Sequence, residues 1–208
     1  MVDFDILETF ALRGGTFARL PLHLARMRAA AHHFGYPWPE PDITQMLAQL
    51  CAQHAQGDWR IRLALRCNGH LATEAHPLPL TLTPVRLQLA REPLTNAMVH
   101  GDWVRFKTSR REHYSALRPA DASVFDTLLF NEDGELTETT HGNIAALLDN
   151  RWVTPPLHCG LLPGVGRHVL VQQGRLAEQV IELSDVPRAQ GWAFVNSLRG
   201  WLDADLVG

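Results

Sequence analysis

Lysine is nearly absent from this chain: of nineteen basic residues one is a lysine, Lys107, and the rest are arginine. Arginine serves wherever a permanent positive charge is enough. Its guanidinium does not lose a proton in a protein, whereas an ε-amine does and can then form a Schiff base. The stretch Phe106-Lys107-Thr108-Ser109-Arg110-Arg111-Glu112-His113-Tyr114 is therefore the first place to look for chemistry, the alternative being that one lysine escaped drift by chance. Cysteine is scarce as well. Cys51, Cys67 and Cys159 are odd in number, far apart and without CxxC spacing, which argues for reduced thiols in a cytosol and against a disulfide framework or a zinc site; no metal is expected. An excess of one charge is also missing, and a formal net charge of −3 gives no electrostatic case for nucleic acid or an anionic membrane as partner. No apolar run approaches the ~18 residues of a membrane helix. The opening Met1-Val-Asp-Phe-Asp-Ile has no basic segment followed by an apolar one, so no signal peptide and a cytoplasmic setting are expected.

What is present describes a globular protein: 208 residues, 46% of them hydrophobic and 20% charged, enough for one large domain or two small ones. The patterning is mixed α and β. Phe4 to Leu12 reads as a strand, folded by Arg13-Gly14-Gly15-Thr16 into a hairpin with Phe17-Ala18-Arg19. Leu22, Leu24, Met27, Ala30 and Ala31 have helical spacing ending before Gly35, and a second helix is expected from Asp42 as N-cap through Leu50 and Cys51. Trp59 to Arg66 alternates apolar and basic residues as a half-buried strand does, and Asn68-Gly69 turns it into a partner. The proline-studded stretch from His76 to Pro93 predicts edge strand plus linker. A boundary falls within 94–104, giving an N-terminal α/β subdomain over 1–97 and a C-terminal subdomain over 98–208. In the second half, strands are expected at Ser123–Phe130, Glu135–Thr140, Asn143–Leu148, Arg151–Thr154, Val180–Leu183 and Trp192–Val195. A helix from Val165 to Gln173 is closed by Gly174.

Three segments carry groups that would work together. Lys107 offers an amine. Leu136-Thr137-Glu138-Thr139-Thr140-His141-Gly142-Asn143 places a carboxylate among hydroxyl residues at a hairpin end. Leu162-Pro163-Gly164-Val165-Gly166-Arg167 is a small-residue turn opening a helix, whose exposed N–H groups and dipole suit a phosphate. An amine, a carboxylate for a pyridinium nitrogen and an anion cradle are what pyridoxal phosphate (PLP) requires. Each signal alone has a plainer reading, since glycines punctuate loops generally and hairpin carboxylates are usually solvated.

In order, these segments resemble the class IV, fold-type IV PLP-dependent enzymes, which include branched-chain and D-amino-acid aminotransferases and 4-amino-4-deoxychorismate lyase. The resemblance runs from about residue 4 to residue 205. It is carried by Asp126-Thr-Leu-Leu-Phe-Asn131, Gly134-Glu-Leu-Thr-Glu138-Thr-Thr with Asn143-Ile, Thr154-Pro-Pro-Leu-His-Cys-Gly160-Leu-Leu-Pro-Gly-Val-Gly-Arg167, and His23-Leu-Ala-Arg26. It implies an α/β fold of two subdomains with PLP in the cleft between them. Lys107 would hold the cofactor as a Schiff base, Glu138 would face the pyridine nitrogen, and Arg26 with the backbone amides of Val165 and Gly166 would bind the phosphate. The plainer reading of Arg26 is an exposed helix arginine. Many relatives carry a hydroxyl residue where Gly166 stands. Asn143 is expected to brace the strand beside Glu138.

Lys107-Thr108 with Arg111 and Tyr114, together with Asn196-Ser-Leu-Arg-Gly200 and Phe4-Asp-Ile-Leu-Glu-Thr9, is similar to the lyase subgroup. That implies conversion of 4-amino-4-deoxychorismate to 4-aminobenzoate and pyruvate, a step towards folate, with Lys107 as general base. Arg199, Arg111, Tyr114 and Thr9 are candidates for the substrate carboxylates. The alternatives are a class IV aminotransferase acting on a D-amino or branched-chain amino acid, and a non-catalytic binding domain that kept the fold. Most members have a further strand and a Gly-Asp-Gly turn before the segment matching Phe4–Thr9, and leucine at Ile6-Leu-Glu8 replaces the tyrosine of D-amino-acid transaminases. Both departures bear on substrate specificity more than on cofactor binding. The resemblance also implies a homodimer and a functional link to aminodeoxychorismate synthase.

Overall fold

Ile61, Leu63 and Leu65 alternate with Arg60, Arg62 and Ala64, and residues two apart on a strand share a face. That alternation organises the first sheet. The computed structural model describes residues 4–207. Its first elements are β1 (Ile6–Arg13), β2 (Thr16–Phe17), α1 (Leu20–Phe34), α2 (Glu40–Gln53), β3 (Asp58–Leu65) and β4 (Leu71–Pro77). The strands form an antiparallel sheet in the order β2-β1-β3-β4, with Ile6 opposite Leu65 and Phe10 opposite Ile61. Ile6, Phe10, Leu12, Ile61, Leu63 and Leu65 bury their apolar face against Met27, Ala30 and Ala31 of α1 and Ile43, Leu47 and Leu50 of α2. Each of the larger side chains contributes roughly 1.5–3 kcal/mol by leaving water. Gly35, at φ 70°, ends α1 with its N–H donated to the carbonyls of Ala31 and His32. The second helix starts earlier than expected: Pro39 is its N-cap, and Asp42 lies in the first turn, where its charge favours the positive helix end.

The second unit continues with β5 (Val85–Leu89), α3 (Asn96–Val99), α4 (Asp102–Arg105), α5 (Glu112–Ser115), β6 (Asp126–Phe130), β7 (Leu136–Thr139), β8 (Asn143–Leu148), β9 (Arg151–Thr154), α6 (Val165–Gln172), β10 (Ala177–Glu178), β11 (Gly191–Asn196) and β12 (Gly200–Val207). One sheet runs β10-β9-β8-β11-β12-β5-β6-β7. Leu87, Leu128, Leu136, Ile144, Val153, Phe194 and Leu202 form its main core. Ala145, Ala193 and Val195 pack with Leu170 of α6 in a separate cluster. Two expectations are corrected here. The stretch around 85–89 is an interior strand, parallel to both β12 and β6, because Pro77, Pro79, Pro84 and Pro93 all lie outside it. The strand expected at Val180–Leu183 is replaced by β10 at Ala177–Glu178, which pairs with β9, and by a 3-10 turn over Leu183–Arg188.

The chain divides into two compact units, one formed by residues up to 80 with 106–110, the other by 81–105 and 111 onward. The division thus falls earlier than 97/98, since β5 is paired into the second sheet. Lys107 belongs with the first unit, because Leu7 donates its N–H to the Lys107 carbonyl and Ser109 donates its N–H to Asp5. Among the described residues no helix is long and apolar enough to cross a membrane, and no group of three or more His, Cys, Asp or Glu is placed to hold a metal ion.

Candidate active site

Lys107 is half-buried on an extended segment along the edge of β1. The segment is pinned on both sides of the lysine: Thr108 bridges Ile6, and the Ser109 hydroxyl accepts the Asp5 N–H at 2.9 Å. Phe106, immediately before it, stacks on His33 with ring centroids 4.3 Å apart and meets Phe34 edge-on. The amine therefore starts from a backbone fixed by sheet pairing and by an aromatic anchor.

Within the same unit Glu8 lies on the apolar face of β1, in phase with Ile6, Phe10 and Leu12, and is fully buried. Its carboxylate accepts Nε of Arg26 at 2.7 Å and Nη2 at 2.8 Å, a side-on bidentate pair, and lies 2.6 Å from Nδ1 of buried His23. Burial alone would raise the Glu8 pKa, but the Arg26 guanidinium and the hydrogen bonds from His23 and Arg26 outweigh it and hold the group at about 2. A side-on pair consumes one edge of the guanidinium and turns the Nη1 end away from Glu8. Thr9, the next residue on β1, projects to the opposite sheet face, where it stands across from Arg62.

In the second unit Glu138 sits on β7 with 3% of its surface exposed. Tyr114, on the short α5, donates its hydroxyl to Glu138 Oε1 at 2.6 Å. The Arg111 guanidinium lies 4.7 Å above the Tyr114 ring and donates to the Thr140 carbonyl. Burial and the neighbouring Glu138 charge push the Tyr114 phenol well above its usual range, so it remains a donor. The corner after β7 is tied by Asp126, fully buried at the start of β6. Asp126 accepts the N–H of Thr127 at 2.8 Å, of Thr140 at 3.1 Å and of His141 at 3.0 Å, and the Thr140 hydroxyl at 2.6 Å. Burial tends to raise its pKa, yet contacts from His141 and Thr140 leave it lowered.

The start of α6 is built from glycines for want of room. A Cβ on Gly164 would meet Asn143 Oδ1 at 1.9 Å, and one on Gly166 would meet the Asn196 carbonyl carbon at 2.6 Å and the Ser197 nitrogen at 2.8 Å. The missing hydroxyl at Gly166 thus has a steric cause: the β11–β12 turn packs backbone to backbone on the helix. Gly164, the N-cap, has no side chain to accept the first-turn amides of Val165 and Gly166. Asn143 donates to the Leu162 carbonyl at 3.1 Å, so it braces the loop entering α6 as well as lying on β8. Arg167 points elsewhere, to the Pro155 carbonyl at 2.7 Å and Glu178 at 2.5 Å. Arg199, in the β11–β12 turn, donates to the Thr81 hydroxyl.

The structure thus joins Arg26 to Glu8 and His23, Tyr114 and Arg111 to Glu138 and its strand, and the α6 start to the turn before Arg199. Sequence reasoning assigned no role to Glu8, His23 or Asp126. Glu8 had a readable signal, a carboxylate at an apolar phase of a strand, with His23 and Arg26 three apart on a helix. Asp126 had none, because an acidic residue opening a strand is usually exposed.

The amino-transferase class IV family pattern matches residues 5–207. A Schizosaccharomyces pombe protein provisionally named an aminodeoxychorismate lyase is 31% identical over 96% of this chain and 88% of its own length. A crystal structure of a provisionally named amino-acid aminotransferase from Mesorhizobium loti is 36% identical, with a TM-score of 0.90 over 99% of this chain and 100% of that one. A Legionella pneumophila protein provisionally named a 4-amino-4-deoxychorismate lyase shares the fold at a TM-score of 0.84 and 20% identity, over 97% of this chain and 82% of that one. With nearly its whole length matched and its fold shared, the chain belongs to amino-transferase class IV, a family of PLP-dependent enzymes.

Proposed function

We propose that the chain is a PLP-dependent lyase that converts 4-amino-4-deoxychorismate to 4-aminobenzoate and pyruvate. The observation that carries this reading is the 31% identity, over 96% of the chain, to the lyase-named fission yeast protein. Lys107-Thr108 with Arg111 and Tyr114 supports it. The residues fit the cofactor. Glu138 is a buried carboxylate with a fixed donor, Arg26 is a cation held by two hydrogen bonds, and the α6 start is a cradle that a Cβ would fill. When bound, PLP would supply an electron sink for the carbon bearing the substrate amine. Lys107, the single ε-amine in the chain, would hold it covalently and then, once displaced, take the proton from that carbon. Glu138 would hold a proton on the pyridine nitrogen. Arg26 and the first-turn amides of Val165 and Gly166 would bind phosphate. Arg199 would orient a substrate carboxylate. The proton leaves from the amine-bearing carbon and the enolpyruvyl oxygen departs, so the ring becomes aromatic without any added reactant. A homodimer, a cytoplasmic setting and a functional link to aminodeoxychorismate synthase complete the proposal.

The 36% identity to the Mesorhizobium loti protein favours a second reading, an amino-acid aminotransferase using the same residues. The test is the visible spectrum of purified protein with PLP, before and after borohydride, beside Lys107→Ala, followed by a pyruvate assay with 4-amino-4-deoxychorismate. A band trapped in wild type and missing from the variant, with pyruvate released without an amino donor, supports the lyase. Conversion of the band by a D-amino or branched-chain amino acid, with no pyruvate released, supports the aminotransferase. A colourless protein that takes up no PLP refutes both.

A further inference from the structure

Tyr114 is a sequence candidate for the substrate carboxylates, yet its hydroxyl is spent on Glu138. The bond is short, 2.6 Å, and joins a 3%-exposed phenol to a 3%-exposed carboxylate. A buried carboxylate deprived of donors is driven to take up a proton, whereas a hydroxyl donated to it favours the charged form. Tyr114 is itself held from several sides. Its ring packs with Ala90, Leu94, Val99, Val104 and Leu129. Arg111 covers one face of that ring, and the His113 ring lies 4.0 Å away. Arg111 also donates to the Thr140 carbonyl, two residues beyond Glu138. The short α5 and its N-cap are thus fastened to β7 and the residue after it by two side chains, Tyr114 on the Glu138 carboxylate and Arg111 on the Thr140 carbonyl. The high phenol pKa matters here because a tyrosine that ionised would repel Glu138 instead of serving it.

The geometry points to Tyr114 as a positioning residue that fixes the Glu138 carboxylate and keeps it ionised, so that the proton between Glu138 and the cofactor stays on the pyridine nitrogen. This rests on the reading of Glu138 given above. Arg111 acts one step further out, holding Tyr114 and the strand end together. Two side chains of the Lys107–Tyr114 stretch are thereby assigned to tuning the electron sink and not to binding substrate.

The experiment uses the full chain with PLP and compares wild type, Tyr114→Phe, Glu138→Gln and the double variant. Phenylalanine keeps the ring under Arg111, and melting of the cofactor-free proteins checks that each is folded. The readout is the pH midpoint of the cofactor's long-wavelength absorbance band, which a purely structural tyrosine would not move. Without the Tyr114 donor, Glu138 becomes more basic and draws the proton off the ring. The ring then withdraws less charge, and the Schiff-base nitrogen holds its proton to higher pH. The expected shift is upward by about one pH unit, a tenfold change, as befits a hydrogen bond to a charged group. In the Glu138→Gln background the same substitution should add nothing, since the interaction is then already gone. A Tyr114→Phe midpoint within about 0.2 units of wild type, or an equal shift in both backgrounds, overturns the proposal at this precision. A wild type with no borohydride-trapped band overturns the cofactor reading itself and this role with it, a result distinguishable from the failure of Tyr114 alone.

Discussion

Replacing Glu8 by glutamine removes the charge from a well-enclosed ion pair of the first unit while preserving its shape. Arg26 would lose two charge-assisted hydrogen bonds and remain a half-buried cation beside His23. The magnitude follows from the carboxyl itself. Its ordinary value is 4.5 and its folded value about 2, so the folded state prefers the ionised form by roughly 2.5 units, or about 3 kcal/mol. Because the folded value is depressed, this stability is complete above about pH 4.5 and is lost as pH falls through about 2. Glu8→Gln should therefore cost about 3 kcal/mol at pH 7, in line with the roughly 3–5 kcal/mol found when one partner of a buried pair is removed. The wild-type advantage should shrink steadily from pH 4.5 towards pH 2. The assay is amide hydrogen exchange resolved to β1 and α1, because a chain of two units need not unfold in one step. Subtracting the variant from wild type cancels Asp126 and Glu74, whose pKa values are also lowered. A variant within about 0.5 kcal/mol of wild type at pH 7, or a difference that stays flat on acidification, would refute the reasoning.

Gly166→Ala should destabilise the second unit by roughly 1–3 kcal/mol, through overlap with the backbone of Asn196 and Ser197, and weaken PLP retention; thermal melting and equilibrium dialysis read the two effects. Asp126→Asn replaces an acceptor-only carboxylate with a group whose amide faces donors, so a loss of about 3 kcal/mol or more is expected in urea unfolding, whereas an unchanged midpoint would show that the corner holds itself. Leu63→Ala, at the centre of the first core, should cost roughly 2–5 kcal/mol in the exchange of β1 and β3 amides, and substantially less would mean that the sheet and helices are loosely packed.

The first sheet was largely legible because its strands have one wet and one dry face. Arg60, Arg62 and the apolar residues between them fix both period and phase. The parallel strands were harder. β5 and β12 are joined side by side in the second sheet, and a pairing between residues 85–88 and 204–207 leaves no local mark. β12 was not anticipated, although Leu202, Ala204 and Leu206 alternate with exposed Asp203 and Asp205 in the same way as the residues of β3. Among the candidate site residues, Lys107 stood out by composition and Glu138 by its hydroxyl neighbours. Tyr114's contact with Glu138 lay outside sequence reasoning, since 24 residues separate the partners and neither one's burial can be inferred from its type.

The pairing of the Lys107 segment with β1 has a consequence for how the chain is made. Asp5 and Ser109 meet across 104 residues. Synthesis from the N-terminus can complete β1 to β4 and both long helices early, but the edge of β1 at Asp5–Leu7 stays open until Ser109 has emerged. Contacts of such sequence separation form late, because the loop entropy must be met before the bond gives anything back. During that interval the nascent edge is a template for any other strand, and Lys107-Thr108-Ser109 is its native occupant. The Lys107 segment is thus the last piece of the first unit to close, and its arrival both protects the edge and marks that unit as finished.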